Sequence, residues 1–203
     1  MTSLFPMFVK LSGKRCLVVG AGKVGTPKIG GLIDTGARIQ VVAIAAGSRV
    51  QEWAEAGKIE LELRSFAESD LDGKFLVVAA TAATRVNEFI YQEAQRRGVL
   101  CNVVDVPEYC DFYYPAVVRR GDLQIAISTA GQSPSLAQKI RKQLERQFGE
   151  GYAEWVEQLG ETRRLILASD LDRETKWELL HSLANKEAFQ AALAKTAELS
   201  ASG

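Results

Sequence analysis

The stretch Cys16-Leu17-Val18-Val19-Gly20-Ala21-Gly22-Lys23-Val24-Gly25 decides the fold. Its first four residues form a short apolar run that stops at glycine, the pattern of a strand buried on both faces. Glycines then follow at the spacing G-x-G-x-x-G, and helical periodicity continues to Thr35, where Gly36 offers a C-cap. Each glycine has its own task. Gly20 permits a tight turn, Gly22 lets the backbone approach a pyrophosphate, and Gly25 lets helix and strand pack closely. The helix start adds free N–H groups for an anion. A glycine turn can also join strand to helix with no ligand; the position between a strand-like and a helix-like run is what gives the motif weight. The expected structure over residues 15–105 is therefore a dinucleotide-binding domain of the Rossmann type.

The flanking pattern agrees. Strand-like runs at 38–44, 59–63, 75–80 and 100–104 alternate with helical runs at 48–56, ending at Gly57, and 84–97, closing at Gly98. Such alternation predicts an α/β fold with a doubly wound parallel sheet. The rhythm changes after residue 112. Runs at 113–118 and 123–128 read as a β-hairpin joined by Arg119-Arg120-Gly121-Asp122. Ser133 as N-cap and Pro134 at the first helical position then open a helix whose stripe is Leu136, Ile140, Leu144 and Phe148. From Tyr152 the pattern is helical, with expected breaks near Gly160, Ser169-Asp170 and Asn185. Three regions are expected: a nucleotide domain over 1–112, a hairpin-plus-helix region over 113–149, and a small helical C-terminal domain over 150–203.

Composition narrows the function classes. The 203 residues are 47% hydrophobic and 25% charged, with 25 basic and 25 acidic side chains. Zero net charge argues against a dedicated nucleic-acid binder. No apolar stretch approaches membrane-spanning length, and residues 1–10 lack the pattern of a signal peptide. The three cysteines, Cys16, Cys101 and Cys110, fit neither a disulfide framework nor a zinc pattern, and the first two read as buried thiols. The expected location is the cytoplasm.

Two features depart from the ideal dinucleotide fingerprint. Pro27, Gly30 and Gly31 sit in the first helix, the glycines suggesting close packing on the sheet. More telling, the second strand ends Val41-Val42-Ala43-Ile44-Ala45, without the usual ribose-binding carboxylate. Arg49 can in principle meet a 2′-phosphate, so these residues leave NAD and NADP open.

Asp105 ends the strand Cys101-Asn102-Val103-Val104, on the sheet edge where ligands of this fold bind. It is either a catalytic carboxylate or a solvated loop aspartate. Glu108 and Asp111 follow at intervals of three, but no histidine or cysteine stands in ligand spacing, so no metal site is expected. The usual proton-relay groups are missing: no tyrosine has a lysine four residues on, and His181 lies far along the C-terminal helical region. A carboxylate base is what remains.

Together these residues resemble the precorrin-2 dehydrogenase family, which includes the N-terminal half of bifunctional bacterial sirohaem synthases. The similarity runs from Leu4-Phe5-Pro6-Met7-Phe8 through Val18–Val24, Ala79-Ala80-Thr81 with Val86-Asn87, Cys101–Asp105, Phe112 to Pro115, and Ser128-Thr129-Ala130-Gly131-Gln132-Ser133-Pro134. Ala21 and Gly25-Thr26-Pro27 depart from the family pattern.

The resemblance implies NAD-dependent oxidation of precorrin-2 to sirohydrochlorin in sirohaem biosynthesis, Asp105 as catalytic residue, and a homodimer built on the hairpin and following helix. It implies NAD contacts at Gly20, Ala21, Gly22, Lys23, Val24, Ile44, Ala45 and Thr81. Some members also insert Fe²⁺ into sirohydrochlorin, and the residues leave that second activity open; Thr129 stands where bifunctional members carry a phosphorylatable serine. A polycarboxylate tetrapyrrole calls for a basic rim, with Arg119, Arg120, Lys139, Lys142 and Arg146 as candidates. The alternative from another class is a regulatory module that senses NAD without catalysis; a basic, substrate-sized cleft next to Asp105 separates the two.

Overall fold

The computed structural model describes residues 4–185 and 187. The chain divides into two compact units between Tyr114 and Pro115. In the first, β1 (Arg15–Ala21), β2 (Arg38–Ala46), β3 (Glu60–Leu63), β4 (Leu76–Ala79) and β5 (Leu100–Val103) form one sheet in the order β3-β2-β1-β4-β5. Every pairing is parallel. The helices between them are α1 (Gly25–Ile33), α2 (Ser48–Glu55) and α3 (Thr84–Arg97). The chain builds outward from β1 in one direction, then restarts on its other side with β4. The carboxyl ends of β1 and β4 therefore flank the point where the strand order reverses, the place at which open α/β sheets bind ligands.

The run Cys16–Val19 of β1 and all of β4 are apolar without interruption because both faces are covered. Alternate residues of β1 serve two cores: Cys16 and Val18 pack with Ile29, Val41 and Val50, whereas Leu17 and Val19 pack with Val77, Ile90 and Cys101. Burial pushes the Cys16 thiol up to about 11 and the Cys101 thiol to about 12, so both stay protonated packing groups. Helix α3 stops at Gly98, whose φ of +65° lets its N–H reach back to Ala94.

Two expectations for α1 change. Its C-cap is Asp34, and Gly36, at φ +72°, instead turns the chain toward β2. Nor do Gly30 and Gly31 admit the sheet: a Cβ at Gly30 would meet the Trp53 ring of α2 at 3.2 Å, while one at Gly31 would meet nothing. The indole, not a strand, fills the space that the missing side chain leaves.

The second unit contains the antiparallel hairpin β6 (Ala116–Arg120) and β7 (Leu123–Ile127), then α4 (Pro134–Gln147), α5 (Gly151–Ala168) and α6 (Arg173–Leu183). The hairpin turn is shorter than the sequence suggested: Arg119 and Arg120 belong to β6, pairing with Gln124 and Leu123. Gly121, at φ +56°, makes a two-residue connection possible. Ser133 caps α4 as expected, its Oγ accepting from Leu136 N–H at 3.2 Å, with Pro134 at N1. Helix α5 runs through Gly160 without the expected break. One interior glycine costs about 1 kcal/mol, too little to end an 18-residue helix. The break at Ser169-Asp170 is present, and Asp172 caps α6 by accepting from Glu174 and Thr175 N–H. Asn185 follows the Ala184 C-cap of α6; the region beyond it lies outside the described residues, residue 187 excepted.

Candidate active site

The turn after β1 takes the conformation its glycines demand. Gly20 has φ +103°, and a Cβ there would lie 2.4 Å from the Ala80 carbonyl oxygen. A Cβ at Gly25 would lie 2.0 Å from the Gly20 carbonyl oxygen, so only glycine lets α1 start this close to β1. Gly22 faces open space instead. No protein packing therefore requires a glycine there. No side chain caps α1, whose N-cap is Val24, while Thr26 donates through Oγ1 to Gly22 O at 2.9 Å and steadies the turn.

A cleft of about 530 Å³ opens along the carboxyl edge of the sheet. Gly20, Ala21, Gly22, Lys23, Val24, Ile44, Ala45, Thr81 and Asp105 all line it. Four strand ends separated by up to 85 positions in the chain (20 to 105) thus converge on one cavity, as parallel topology requires. Sequence reasoning missed other lining residues, among them Arg64, Phe66, Ala82, Ala83 and Phe89. Phe66 and Phe89 meet edge to face at 6.3 Å. Their separation in sequence gave no local sign of that pairing.

Behind Thr81 stands a buried amide. Thr81 donates through Oγ1 to Asn87 Oδ1 at 2.7 Å, and Asn87 Nδ2 donates back to Thr81 O at 3.0 Å. Asn87 therefore fixes the β4–α3 turn.

Asp105 is exposed and has φ +63°, a left-handed conformation uncommon outside glycine. Neighbouring groups brace it there. Buried Asn102 donates through Nδ2 to Phe112 O at 2.7 Å, and the Cys110 thiol lies 3.2 Å from Val103 O and 3.3 Å from Val106 O. Cys110 thus holds the two ends of the turn that carries Asp105. Strain held by surrounding structure is a feature of functional sites. Lys28 of α1 lies 3.9 Å over the Tyr114 ring. Burial lowers its ammonium below the usual lysine range, opposed by the charges of Asp105 and Cys110. Nothing in the residue spacing indicates this cation.

Asp111, six positions beyond Asp105, has a different role. Asp111 accepts from Cys101 N–H and Gln95 Nε2, both at 2.8 Å, and so ties the loop to β5 and α3. Among the described residues no group of three or more His, Cys, Asp and Glu is placed to hold a metal ion. His181 lies exposed on α6 with its ring 4.0 Å from Trp177. Among the described residues no helix is long and apolar enough to cross a membrane.

The basic candidates belong to the second unit and differ from one another. Arg119, Lys139, Lys142 and Arg146 are exposed. Arg120 is not: its Nε donates to Phe148 O at 2.8 Å and its Nη2 to Glu145 O at 3.1 Å. It closes the carbonyl end of α4, a role that leaves little of its guanidinium for a ligand.

Strand order, glycine turn and cleft define a dinucleotide-binding α/β domain. Comparison with known proteins supports this and goes further. Residues 7–116 match the family described as putative NAD(P)-binding, and residues 120–147 match that of the sirohaem biosynthesis protein central region. The sirohaem synthase of Nitrosococcus oceani is 40% identical over 147 residues, 72% of this chain and 31% of the relative. Sirohaem synthase 2 of Yersinia enterocolitica is 36% identical over 196 residues, 92% of this chain and 42% of the relative. The chain thus spans well under half the length of these relatives. The solved structure of SirC, a precorrin-2 dehydrogenase, superposes with a TM-score of 0.79 at 30% identity, covering 91% of this chain and 92% of that one. The chain belongs to the precorrin-2 dehydrogenase family, which is shared with the sirohaem synthases. Its cofactor is a nicotinamide dinucleotide.

Proposed function

We propose that the protein oxidises precorrin-2 to sirohydrochlorin with NAD⁺, as a step of sirohaem biosynthesis. The observation that carries this reading is the convergence of the glycine turn, Thr81 and the strained Asp105 on one cleft. The cleft fits the cofactor: it has the two glycine positions that a Cβ would block, an open approach at Gly22, and Lys23 beside the turn. Bound NAD⁺ supplies the hydride acceptor. Gly20 to Val24 hold the pyrophosphate, Ile44 and Ala45 border the adenosine ribose, and Thr81, fixed by Asn87, borders the opposite side.

Asp105 does the chain's own chemistry. Loss of hydride from a macrocycle carbon leaves a proton to be removed, and a carboxylate beside the cofactor can take it, giving sirohydrochlorin, NADH and a proton released to solvent. No histidine relay is needed, since no alcohol or ketone is interconverted. Lys28 places positive charge near that carboxylate. Arg119, Lys139 and Lys142, with Arg146, bind the carboxylates of the tetrapyrrole. Arg120 supports them by holding the end of α4, a change from the direct contact expected of it.

Further elements of the proposal are a homodimer formed through the region 113–149, with 1–112 as cofactor domain and 150–203 as helical domain, and a cytoplasmic location without nucleic-acid or membrane partners. Within that region Tyr114 and Leu136 are exposed, apolar surface that a partner copy would cover.

The test is anaerobic incubation of the protein with precorrin-2 and NAD⁺, following sirohydrochlorin absorbance. Formation above the uncatalysed rate is expected; its absence refutes the enzyme and leaves NAD binding without catalysis. Addition of Fe²⁺ afterwards decides whether metal insertion is a second activity.

A further inference from the structure

Lys28 of α1 is half-buried, yet among the described residues it has neither an ion pair nor a hydrogen bond. An ammonium carries three N–H donors, and withdrawing one from water is costly unless it is paired. Lys28 instead lies 3.9 Å over the Tyr114 ring, whose π face holds a cation and leaves its donors free.

The charges that act on Lys28 single out one group. Burial lowers its ammonium, and Asp105 first and Cys110 second oppose that fall. Burial pushes the Cys110 thiol up, so it stands as a neutral group. Asp105 is left as the anion that Lys28 meets. Chain geometry brings the two together. Asp105 sits on a turn closed by Val106 N–H donating to Val103 O at 3.2 Å, and Asn102 ties Phe112 O to the same strand end at 2.7 Å. Tyr114, just beyond, is thereby carried back to Lys28.

Other charged and titratable groups near this turn are differently placed. Lys23 is exposed, and Arg64 on the cleft wall is paired with Glu62 and Asp70. Glu108 is exposed, Asp111 is bound to Cys101 N–H and Gln95, and Glu88 of α3 meets the Tyr109 hydroxyl at 3.5 Å. None of them combines, as Lys28 does, a fixed place, partial burial and unused donors.

In the free protein Asp105 is exposed, and water solvates its charge. A polycarboxylate tetrapyrrole over it removes that water and adds like charge, and both effects favour the protonated acid, which is no base. We propose that Lys28 is the positioning residue that holds Asp105 as a carboxylate under bound substrate. Lys28 does not line the cleft, so it acts through Asp105 and not on the substrate itself. Its free N–H groups replace the water that substrate expels. The role rests on the reading of Asp105 as the base in precorrin-2 oxidation.

The test is the pH profile of sirohydrochlorin formation by the full chain at saturating precorrin-2 and NAD⁺, because the acid limb of kcat reports the base in the loaded enzyme. Lys28→Met should move that limb up by about one to two pH units, the effect of losing a neighbouring opposite charge. The variant is then slow at low pH and approaches the wild-type kcat at high pH. Lys28→Arg should restore the wild-type limb. Tyr114→Leu, which frees the ammonium without removing it, should move the limb the same way but less. An unmoved limb in folded, NAD⁺-binding Lys28→Met overturns the proposal, as does a kcat lowered equally at every pH, the mark of a merely structural lysine. Should Lys28→Met not fold, Tyr114→Leu decides, and an unmoved limb there overturns it. No sirohydrochlorin from the wild type, or wild-type turnover by Asp105→Ala, overturns the reading of Asp105 beneath it and the role of Lys28 with it.

Discussion

The two units of this chain bury their apolar residues in different ways. In the first, a sheet covered on both faces encloses two cores, with Leu17, Val18, Val41, Val77 and Val78 all fully buried. In the second, among the described residues, only Ala116, Val118 and Ala137 are buried hydrophobics, while Leu136, Leu165, Leu167 and Trp177 remain exposed. The first unit can position a ligand from its own strand ends. The second has much less interior, relies on polar ties such as Arg120, and leaves apolar surface outside. A cofactor cleft belongs naturally to the former.

The largest expected effect tests the chemistry at the edge of the first unit. Asp105→Ala should lower sirohydrochlorin formation by about 10²–10⁴-fold, the usual contribution of a general base, while NAD⁺ still binds. Turnover at the wild-type rate would remove Asp105 from this role. Next comes Gly25→Val, whose Cβ collides with the Gly20 carbonyl. It should weaken NAD⁺ by roughly 100-fold or more in calorimetry and lower the melting temperature, since backbone must move. Normal affinity would mean that the turn does not hold the pyrophosphate.

Arg120→Ala sharpens the contrast from the other side. Losing charged hydrogen bonds to two helix-end carbonyls should destabilise the second unit by about 2–3 kcal/mol, with NAD⁺ affinity unchanged. Thermal melts beside NAD⁺ titration check this, and a stability equal to wild type would count against the capping role. A smaller effect is expected from Lys139→Ala combined with Lys142→Ala: a KM for precorrin-2 raised about 3–10-fold with kcat nearly constant, as uniform binding would give. A fall in kcat alone would place these lysines elsewhere in the mechanism.

The smallest effect near neutral pH concerns Asp70. Burial works to raise its carboxyl, but hydrogen bonds from Arg64 and Ala67 N–H and the charges of Arg64 and Lys74 more than offset that and hold it below the ordinary value. A carboxylate with a folded pKa below its unfolded one stabilises the fold fully above the unfolded value, roughly pH 4. That stability is lost as pH falls through the depressed folded pKa. Acid titration of the melting temperature should show a step that Asp70→Asn removes, and an identical acid profile in the variant would exclude the linkage.

Much of the first unit was legible because its determinants are local. A turn at φ +103° with a carbonyl 2.4 Å from the missing Cβ needs glycine at position 20, and glycine spacing is visible in any sequence. Continuous apolar runs announced strands covered on both faces, and Gly98 announced the end of α3. Residues that act through distant partners were misread or unseen. Arg120 looked like a surface charge in a turn, since its carbonyl partners lie 25 and 28 positions away. Gly160 looked like a helix stop because one local preference was weighed without the whole helix around it.

The sequence by itself determined the sheet type, the glycine turn and the position of Asp105 at a strand end, because backbone sterics and hydrophobic periodicity act over a few residues. Only the tertiary structure decided what Arg64 does. Its guanidinium is paired with Glu62 and with Asp70, whose side chain is 5% exposed, contacts that no single residue announces. Charge at a site is a sum over groups that the fold brings together, and that sum is not written in any one stretch of chain.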